Sequence, residues 1–131
     1  SVAQHSCRVM DMAPDHVKRE ALMHDSSEYL LQDLIQPVKR MVGDAYKNIE
    51  RTLGMAIADR FDMSYNIMVD PVIKNIDMNM LWTEMIEVWG HIPEHVVQPS
   101  ASWRPYPSQQ HVDQETARIL FLGNARKLGL I

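Results

Sequence analysis

The apolar residues of this 131-residue chain recur at intervals of three or four positions, which is the period of an α-helix. The clearest example covers residues 44–61, where the apolar positions are Tyr46, Ile49, Leu53, Ile57 and Phe61. We expect Asp44 to cap this helix, because an aspartate side chain can accept hydrogen bonds from the first free amide groups. No stretch alternates strictly between apolar and polar residues, as a half-buried strand would. The pattern predicts an all-α fold.

Prolines, glycines and acidic residues mark where the other helices begin and end. We predict further helices over residues 1–12, 16–31, 71–88 and 113–128. A turn or short helix is expected after Pro37, and a connection over residues 63–70. Four prolines within residues 91–111 are incompatible with a continuous helix or a central strand, so we predict a long loop there. Residues 1–131 should form one compact domain, a bundle of about five to six helices.

The charge of the chain disfavours a nucleic-acid polymer as its partner. Against 17 acidic residues stand 13 Lys and Arg, a formal charge of -4 that provides no chain-wide basic surface for a phosphate backbone. No apolar run approaches the roughly 18 to 20 residues that a membrane span needs. The single cysteine, Cys7, cannot form an internal disulfide, and no secretion signal is evident. We therefore expect a cytoplasmic protein that has neither a nucleic-acid polymer nor a membrane as its partner.

Three ionisable side chains interrupt an apolar helical pattern in residues 21–28. On a helix, His24 and Glu28 are four residues apart and Asp25 and Glu28 are three apart, so their side chains lie on one side. Burying a His-Asp pair is costly unless hydrogen bonds or a metal ion compensate for the lost hydration. We take a metal ion as the working hypothesis.

His5 and Asp77 break helical apolar patterns in the same way as this pair. Together with His24 and Asp25 they would supply two imidazoles and two carboxylates, a mixed nitrogen and oxygen set that suits Mn, Fe, Co, Ni or Zn. Each residue also has an ordinary interpretation. A histidine on an apolar face is often a hydrogen-bonded core residue, and Asp77 could pair with Lys74 or cap a helix.

The order His5, His24-Asp25, Asp77 resembles the H…HD…D signature of the HD-domain metal-dependent phosphohydrolases. The resemblance to small phage and bacterial members extends to Asp33 and to residues 1–6, 24–28, 37–39 and 72–77. It implies a compact HD-domain helical bundle in which His5, His24, Asp25 and Asp77 hold a divalent metal. Mn, Co, Fe, Ni, Zn or Mg would serve as this cofactor. It also implies a nucleotide substrate in a bacterial or phage-infected cell.

Further residues receive roles from the resemblance and from their spacing. Glu28, one turn beyond the His24-Asp25 pair, would act as general acid or base, and Asp33 would orient the sugar or a water molecule. Lys39 and Lys74 could bind the substrate phosphate, an interpretation that the resemblance favours, whereas without it both would be taken as solvated surface lysines. Glu84 lies two helical turns from Asp77 and could either contact a ligand histidine or lie at the surface.

The substrate expected from the resemblance is a deoxynucleotide. The short spacing from His5 to Asp25 favours the phage-type dNTP triphosphohydrolases, which include dATP-removing enzymes. The alternatives are a 5′-deoxynucleotidase acting on dNMPs and a non-catalytic helical module with a structural metal and Met-rich contact faces, since the chain has 10 methionines.

Because family members carry residues before their first metal histidine, we expect this chain to lack an N-terminal segment. The apolar surface left uncovered predicts a homo-oligomer.

Overall fold

A computed structural model describes residues 1–32 and 34–131 of the chain. Its α-helices are α1 (Val2–Met12), α2 (Lys18–Met23), α3 (Glu28–Leu31), α4 (Gln36–Val42), α5 (Asp44–Arg60), α6 (Tyr65–Met68), α7 (Pro71–Trp89) and α8 (Gln114–Lys127). Among the described residues there is no strand, and six of these helices have six or more residues, so the predicted all-α fold is confirmed. None of the described helices is both long and apolar enough to cross a bilayer.

Helix α1 is central to the largest group of packed helices. It contacts α2, α7 and α8, and α2 also contacts α6 and α8. The main core cluster takes apolar side chains from each of α1, α2, α7 and α8, among them Val9, Leu22, Ile73, Met80 and Ala125. Burial of a side chain such as Leu22 or Ile73 contributes about 1.5–3 kcal/mol. This packing brings the first half of α1 beside the end of α2 and the middle of α7.

The ends of α7 and α8 follow local signals. Helix α7 begins after Asp70, whose side chain accepts a hydrogen bond from the amide of Val72, and Pro71 occupies the first turn. It ends at Gly90, which has a φ of 75° in the left-handed region that glycine adopts without steric strain. Asp113 caps α8 in the same way as Asp70 caps α7. The predicted bounds of both helices are correct to within one residue.

The helix predicted over residues 16–31 is divided, so the prediction of one continuous helix was wrong. Helix α2 ends at Met23, and α3 begins only at Glu28. Between them the chain makes tight turns, in which the Ser26 amide donates to the Met23 carbonyl and the Glu28 amide donates to the Asp25 carbonyl, both at 3.0 Å. The Ser26 hydroxyl also donates to the Met23 carbonyl at 2.6 Å. A side chain that competes for helical carbonyls in this way favours a turn.

Two other expectations about the middle of the chain were wrong. Asp44 makes no capping hydrogen bond, because α5 follows directly after Gly43, whose φ of 64° turns the chain sharply out of α4. Asp44 therefore already lies in the first helical turn, 3.9 Å from Lys47. The connection predicted over residues 63–70 contains the short helix α6. The turn or short helix expected after Pro37 is α4.

The segment between α7 and α8 has neither helix nor strand, as its prolines predict. It runs along α7, where the Tyr106 amide donates to the Thr83 hydroxyl at 3.0 Å. The Trp103 ring lies edge-on to Trp82, with ring centroids 5.6 Å apart. The segment is therefore held against α7 by side chains of that helix.

Candidate metal centre

The four predicted metal ligands come together from three parts of the chain. His5 lies in α1, His24 and Asp25 follow α2, and Asp77 lies in α7. One donor atom of each lies within 4.8 Å of the others. The Nε2 atom of His5 is 2.9 Å from Asp77 Oδ1 and 3.8 Å from Asp25 Oδ2. The Nε2 atom of His24 is 3.2 Å from Asp25 Oδ2 and 3.7 Å from Asp77 Oδ1. These residues form a candidate metal-binding cluster, and the presence of an ion there stays a prediction.

The orientation of His24 supports a cation at this cluster. Its Nδ1 atom donates to the Ala21 carbonyl at 2.8 Å, which leaves the Nε2 lone pair directed away from that carbonyl. Nε2 is buried and lies 3.2 Å from Asp25 Oδ2, but it makes no hydrogen bond of good geometry with any described residue. A buried polar atom without a partner is costly. A divalent ion bound by the two imidazoles and two carboxylates would satisfy it, so the donor set fits a metal.

His5 is oriented by a carboxylate on α7. Its Nδ1 atom lies 3.0 Å from Glu84 Oε2, and Glu84 in turn accepts a hydrogen bond from Arg8. A histidine that donates Nδ1–H to a carboxylate presents its Nε2 lone pair on the opposite side of the ring. The contact between Glu84 and the candidate ligand His5, one of two alternatives predicted from the spacing to Asp77, is confirmed.

The cluster strongly perturbs its own titratable groups in the metal-free protein. Burial disfavours the charged imidazole of His5, but hydrogen bonds to Asp77 and Glu84 outweigh it and raise the pKa of His5 to about 9. Burial likewise opposes charging of His24, yet the carboxylates of Asp25 and Asp77 raise its pKa to about 10. Burial raises the pKa of Asp77, and the two histidines more than reverse that effect and hold it well below the usual value. Protons therefore compete with a metal for these nitrogens.

A cavity of about 380 Å³ lies beside the cluster and includes His24, Asp25 and Asp77 in its wall. Its other lining residues come mainly from α5 and α6, with single residues from α3 and α7, and include Ser27, Glu28, Lys47, Glu50, Arg51, Gly54, Tyr65, Met68, Val69 and Lys74. The Tyr65 ring packs against the backbone of Gly54, where a Cβ atom would come within 2.5 Å of the ring. The cavity therefore combines the candidate metal ligands with charged side chains of both signs.

The predicted catalytic and phosphate-binding residues occupy different positions around this cavity. Glu28 and Lys74 line it. Lys39 is not among its lining residues, and its Nζ atom lies 4.0 Å from Glu28 Oε1 and 3.9 Å from Glu50 Oε1. Asp33 lies outside the described residues. The roles assigned to Glu28, Asp33, Lys39 and Lys74 stay predictions.

Two cations at the cavity were missed in the sequence. Lys47 and Arg51 stand on α5, four residues apart, and Gly54 follows after three more. This spacing places them on one face of the helix. The helical spacing of the two cations and the glycine could have been noticed in the sequence. Only the fold, however, places this face of α5 in the same cavity as His24 and Asp25.

Comparison with known proteins assigns no activity to the chain. No family model matches it, and no solved structure matches it. Over 84 residues it is 38% identical to the uncharacterized protein YfdR of Escherichia coli, a match that covers 64% of this chain and 46% of that protein. Over 70 residues it is 34% identical to an uncharacterized protein of Rhodobacter capsulatus, which covers 48% of this chain and 36% of that protein. The chain thus spans less than half the length of these relatives. Membership of the HD-domain phosphohydrolases stays a prediction from its sequence.

Proposed function

We propose that this chain is a divalent-metal-dependent phosphohydrolase that acts on deoxynucleotides. The observation that carries the proposal is the convergence of His5, His24, Asp25 and Asp77, whose donor atoms lie within 4.8 Å of one another. The buried Nε2 atom of His24 supports it, since this atom faces two carboxylates and makes no hydrogen bond of good geometry with either. Two nitrogen and two oxygen donors suit first-row divalent ions better than soft thiolate-seeking ones.

The residues around the cluster suit hydrolysis of a phosphate ester. A divalent ion held by the four ligands would supply Lewis-acid chemistry and make a water molecule more acidic. Glu28 follows the ligand Asp25 by three residues and lines the same cavity, so its carboxylate can exchange a proton with a water molecule or a leaving oxygen. Lys39 places a positive charge 4.0 Å from that carboxylate. Lys39 would thus contact the Glu28 carboxylate and also bind the substrate phosphate.

The cations of the cavity support an anionic substrate. Lys74 on α7 and Lys47 and Arg51 on α5 all line it. Within the described part of the chain, neither Lys74 nor Arg51 has a carboxylate within 4 Å, so both are available to phosphate groups. We favour a dNTP of the dATP type, from which the enzyme would release triphosphate. The alternative substrate is a dNMP, from which it would release phosphate.

The assay that tests this function combines the protein with Mn, Co, Mg or Zn and a panel of dNTPs and dNMPs. Products are separated so that phosphate and triphosphate are distinguished. We expect triphosphate release, foremost from dATP. Phosphate release from dNMPs alone would favour the alternative substrate, and no release with any pairing of metal and nucleotide would contradict the enzymatic function.

Glu28→Ala tests the proton-transfer role. The variant should keep its metal and lose about 10²- to 10⁴-fold in turnover, the usual contribution of general acid–base catalysis. Glu50→Ala is the matched control, because Glu50 also lines the cavity and also lies beside Lys39, yet does not neighbour a ligand. It should retain most of the turnover. Equal losses in the two variants would argue against a specific role for Glu28.

A second candidate function is a non-catalytic helical module with a structural metal that assembles into homo-oligomers. It is favoured by apolar side chains that remain exposed around α3 and α4, since Tyr29 and Met41 are each 87% exposed and Leu30 is 60% exposed. Light scattering of the metal-loaded protein tests assembly. Oligomers without hydrolysis in the nucleotide panel would favour this function over the enzymatic one.

A further inference from the structure

A buried arginine stands one helical turn beyond the candidate ligand His5. The side chain of Arg8 is only 2% exposed, and its guanidinium bridges two carboxylates of α7. Nη1 lies 3.1 Å from Glu84 and 2.8 Å from Glu87, and Nη2 lies 2.7 Å from Glu87. Taking a guanidinium out of water is expensive, and apolar residues of similar volume often stabilise a core at least as well as a buried ion pair. Packing alone therefore gives a weak reason for an arginine here.

The two oxygens of Glu84 divide their contacts between Arg8 and His5. Oε1 accepts from Arg8, while Oε2 lies 3.0 Å from His5 Nδ1. The guanidinium is fixed by its two-pronged contact with Glu87, so the Nη1 group that also donates to Glu84 Oε1 has a defined position. With Oε1 held, Oε2 is directed at His5, and the Nε2 atom of His5 is directed at Asp77, 2.9 Å away.

From this geometry we infer that Arg8 is a positioning residue, which acts through Glu84 to orient the metal ligand His5. The inference rests on the metal site proposed above and extends it to a residue that does not touch the metal. If Arg8 is removed, Glu84, whose side chain is 22% exposed, can turn towards water. His5 then loses the contact that fixes its tautomer and ring orientation.

The end of the loop between α7 and α8 encloses this network. The Gln109 amide donates to Glu87 at 3.3 Å. The side chain of Gln4, next to His5 on α1, donates to the Gln110 carbonyl at 2.9 Å and accepts from the Val112 amide at 3.3 Å. These bonds hold the loop over the Arg8–Glu87 pair. With water kept out, the pair remains a fixed support for Glu84.

A purely structural role for Arg8 makes a different prediction from a positioning role. If Arg8 only joins α1 to α7, its loss lowers stability and leaves the metal affinity of the folded protein unchanged. If Arg8 acts through Glu84, its loss lowers metal affinity, and only while Glu84 is present. A double-mutant cycle between the two residues separates these outcomes.

The experiment measures Co²⁺ binding to the metal-free full chain by titration calorimetry, with folding checked by circular dichroism. The variants are Arg8→Met, Glu84→Leu and the double variant. We expect binding about 10- to 100-fold weaker for Glu84→Leu and about 10-fold weaker for Arg8→Met, the range found for outer-shell partners of metal ligands. The double variant should bind no more weakly than Glu84→Leu alone.

Arg19→Met is the matched control. Arg19 is a half-buried arginine of α2 whose guanidinium donates to the Phe61 carbonyl at 2.9 Å, outside the network. This variant should bind Co²⁺ with unchanged affinity. If Arg8→Met does not fold, Arg8→Lys replaces it. It should bind several-fold more weakly than wild type, because an ammonium lacks the planar fork that holds both carboxylates.

Wild-type affinity in a folded Arg8 variant, or losses that add in the double variant, would overturn the role of Arg8 alone. No Co²⁺ binding by the wild-type protein would overturn the metal site, and the role of Arg8 with it. Hydrolysis plays no part in this measurement. An absence of phosphohydrolase activity would therefore leave the test of Arg8 intact.

Discussion

His5 and His24 offer the same atom, Nε2, to the metal cluster, but the two imidazoles are oriented by different means. The Nδ1 atom of His24 donates to the carbonyl of Ala21, three residues earlier in the chain. The Nδ1 atom of His5 contacts Glu84, which is 79 residues away and lies on α7. One orientation is therefore set within a single turn of chain, and the other depends on how α1 packs against α7.

This difference determines which substitutions can disturb the orientation of each histidine. Every residue type offers a backbone carbonyl, so replacing the Ala21 side chain leaves the partner of His24 in place. The partner of His5 is a side chain that is itself held by Arg8, so a single substitution can remove it. The His5 half of the cluster should thus be the more sensitive to substitutions away from the ligands.

The largest effect is expected for Asp77→Ala, because Asp77 Oδ1 lies 2.9 Å from the nitrogen of His5 and 3.7 Å from that of His24. The substitution affects both halves of the site at once. Metal affinity should fall by more than about 100-fold, since loss of an outer-shell partner alone costs about 10- to 100-fold. The loss of affinity is checked by measuring the metal content after dialysis with inductively coupled plasma mass spectrometry.

Asp70→Ala is a suitable control for Asp77→Ala, because Asp70 caps the same helix without joining the cluster. It should lower stability by about 1 kcal/mol and leave metal affinity unchanged. Unchanged metal content in Asp77→Ala would show that the ligand assignment is wrong.

An intermediate effect is expected from pH, through the raised pKa values of the two histidines. In the metal-free protein, folding raises the pKa of His5 to about 9 and that of His24 to about 10, both above the ordinary 6.5. The resulting stabilisation is complete below pH 6.5 and is lost as pH rises through about 9 and then about 10. The Tm of the metal-free protein should therefore fall over this alkaline range, and nuclear magnetic resonance should show both histidines still protonated at neutral pH.

The metal-loaded protein should respond to pH in the opposite sense. A metal binds the neutral imidazoles, so acid releases it by protonating them, and the stabilisation that it provides is lost as pH falls. Once the metal has left, Asp77 adds to the loss in strong acid, because the stabilisation from its lowered pKa is complete only above the ordinary value of 3.8 and declines as pH falls below it. Identical Tm profiles with and without metal would contradict the assignment of these histidines as ligands.

The smallest effect on the metal is expected for Ala21→Gly. The substitution retains the carbonyl that accepts from His24, so the affinity for Co²⁺ should remain that of wild type. Stability should fall by about 1 kcal/mol, because glycine is unfavourable inside a helix. Urea unfolding and calorimetric titration measure the two quantities. A clear loss of metal affinity in the folded variant would contradict a purely backbone support for His24.

The parts of the fold that could be predicted are those decided by neighbouring residues. Asp70 and Pro71 set the start of α7, and Gly90 sets its end, because caps and left-handed glycines act within one turn. The break between α2 and α3 was not predicted. The helical spacing of apolar residues continues through the break. The hydrogen bond from the Ser26 hydroxyl to the Met23 carbonyl, which favours a turn, does not change that spacing.

The sequence by itself determined that the chain is helical and which residue types could bind a metal, because the helical period and the placement of His and Asp on apolar faces are local properties. Only the tertiary structure decided that His5, His24-Asp25 and Asp77 meet within 4.8 Å, since these residues stand in three separate segments. It also decided that the Arg8 guanidinium is buried against α7 and holds Glu84 beside His5. Glu84 lies more than 70 positions from both His5 and Arg8. Their contact depends on the packing of α1 against α7, which no short stretch of sequence encodes.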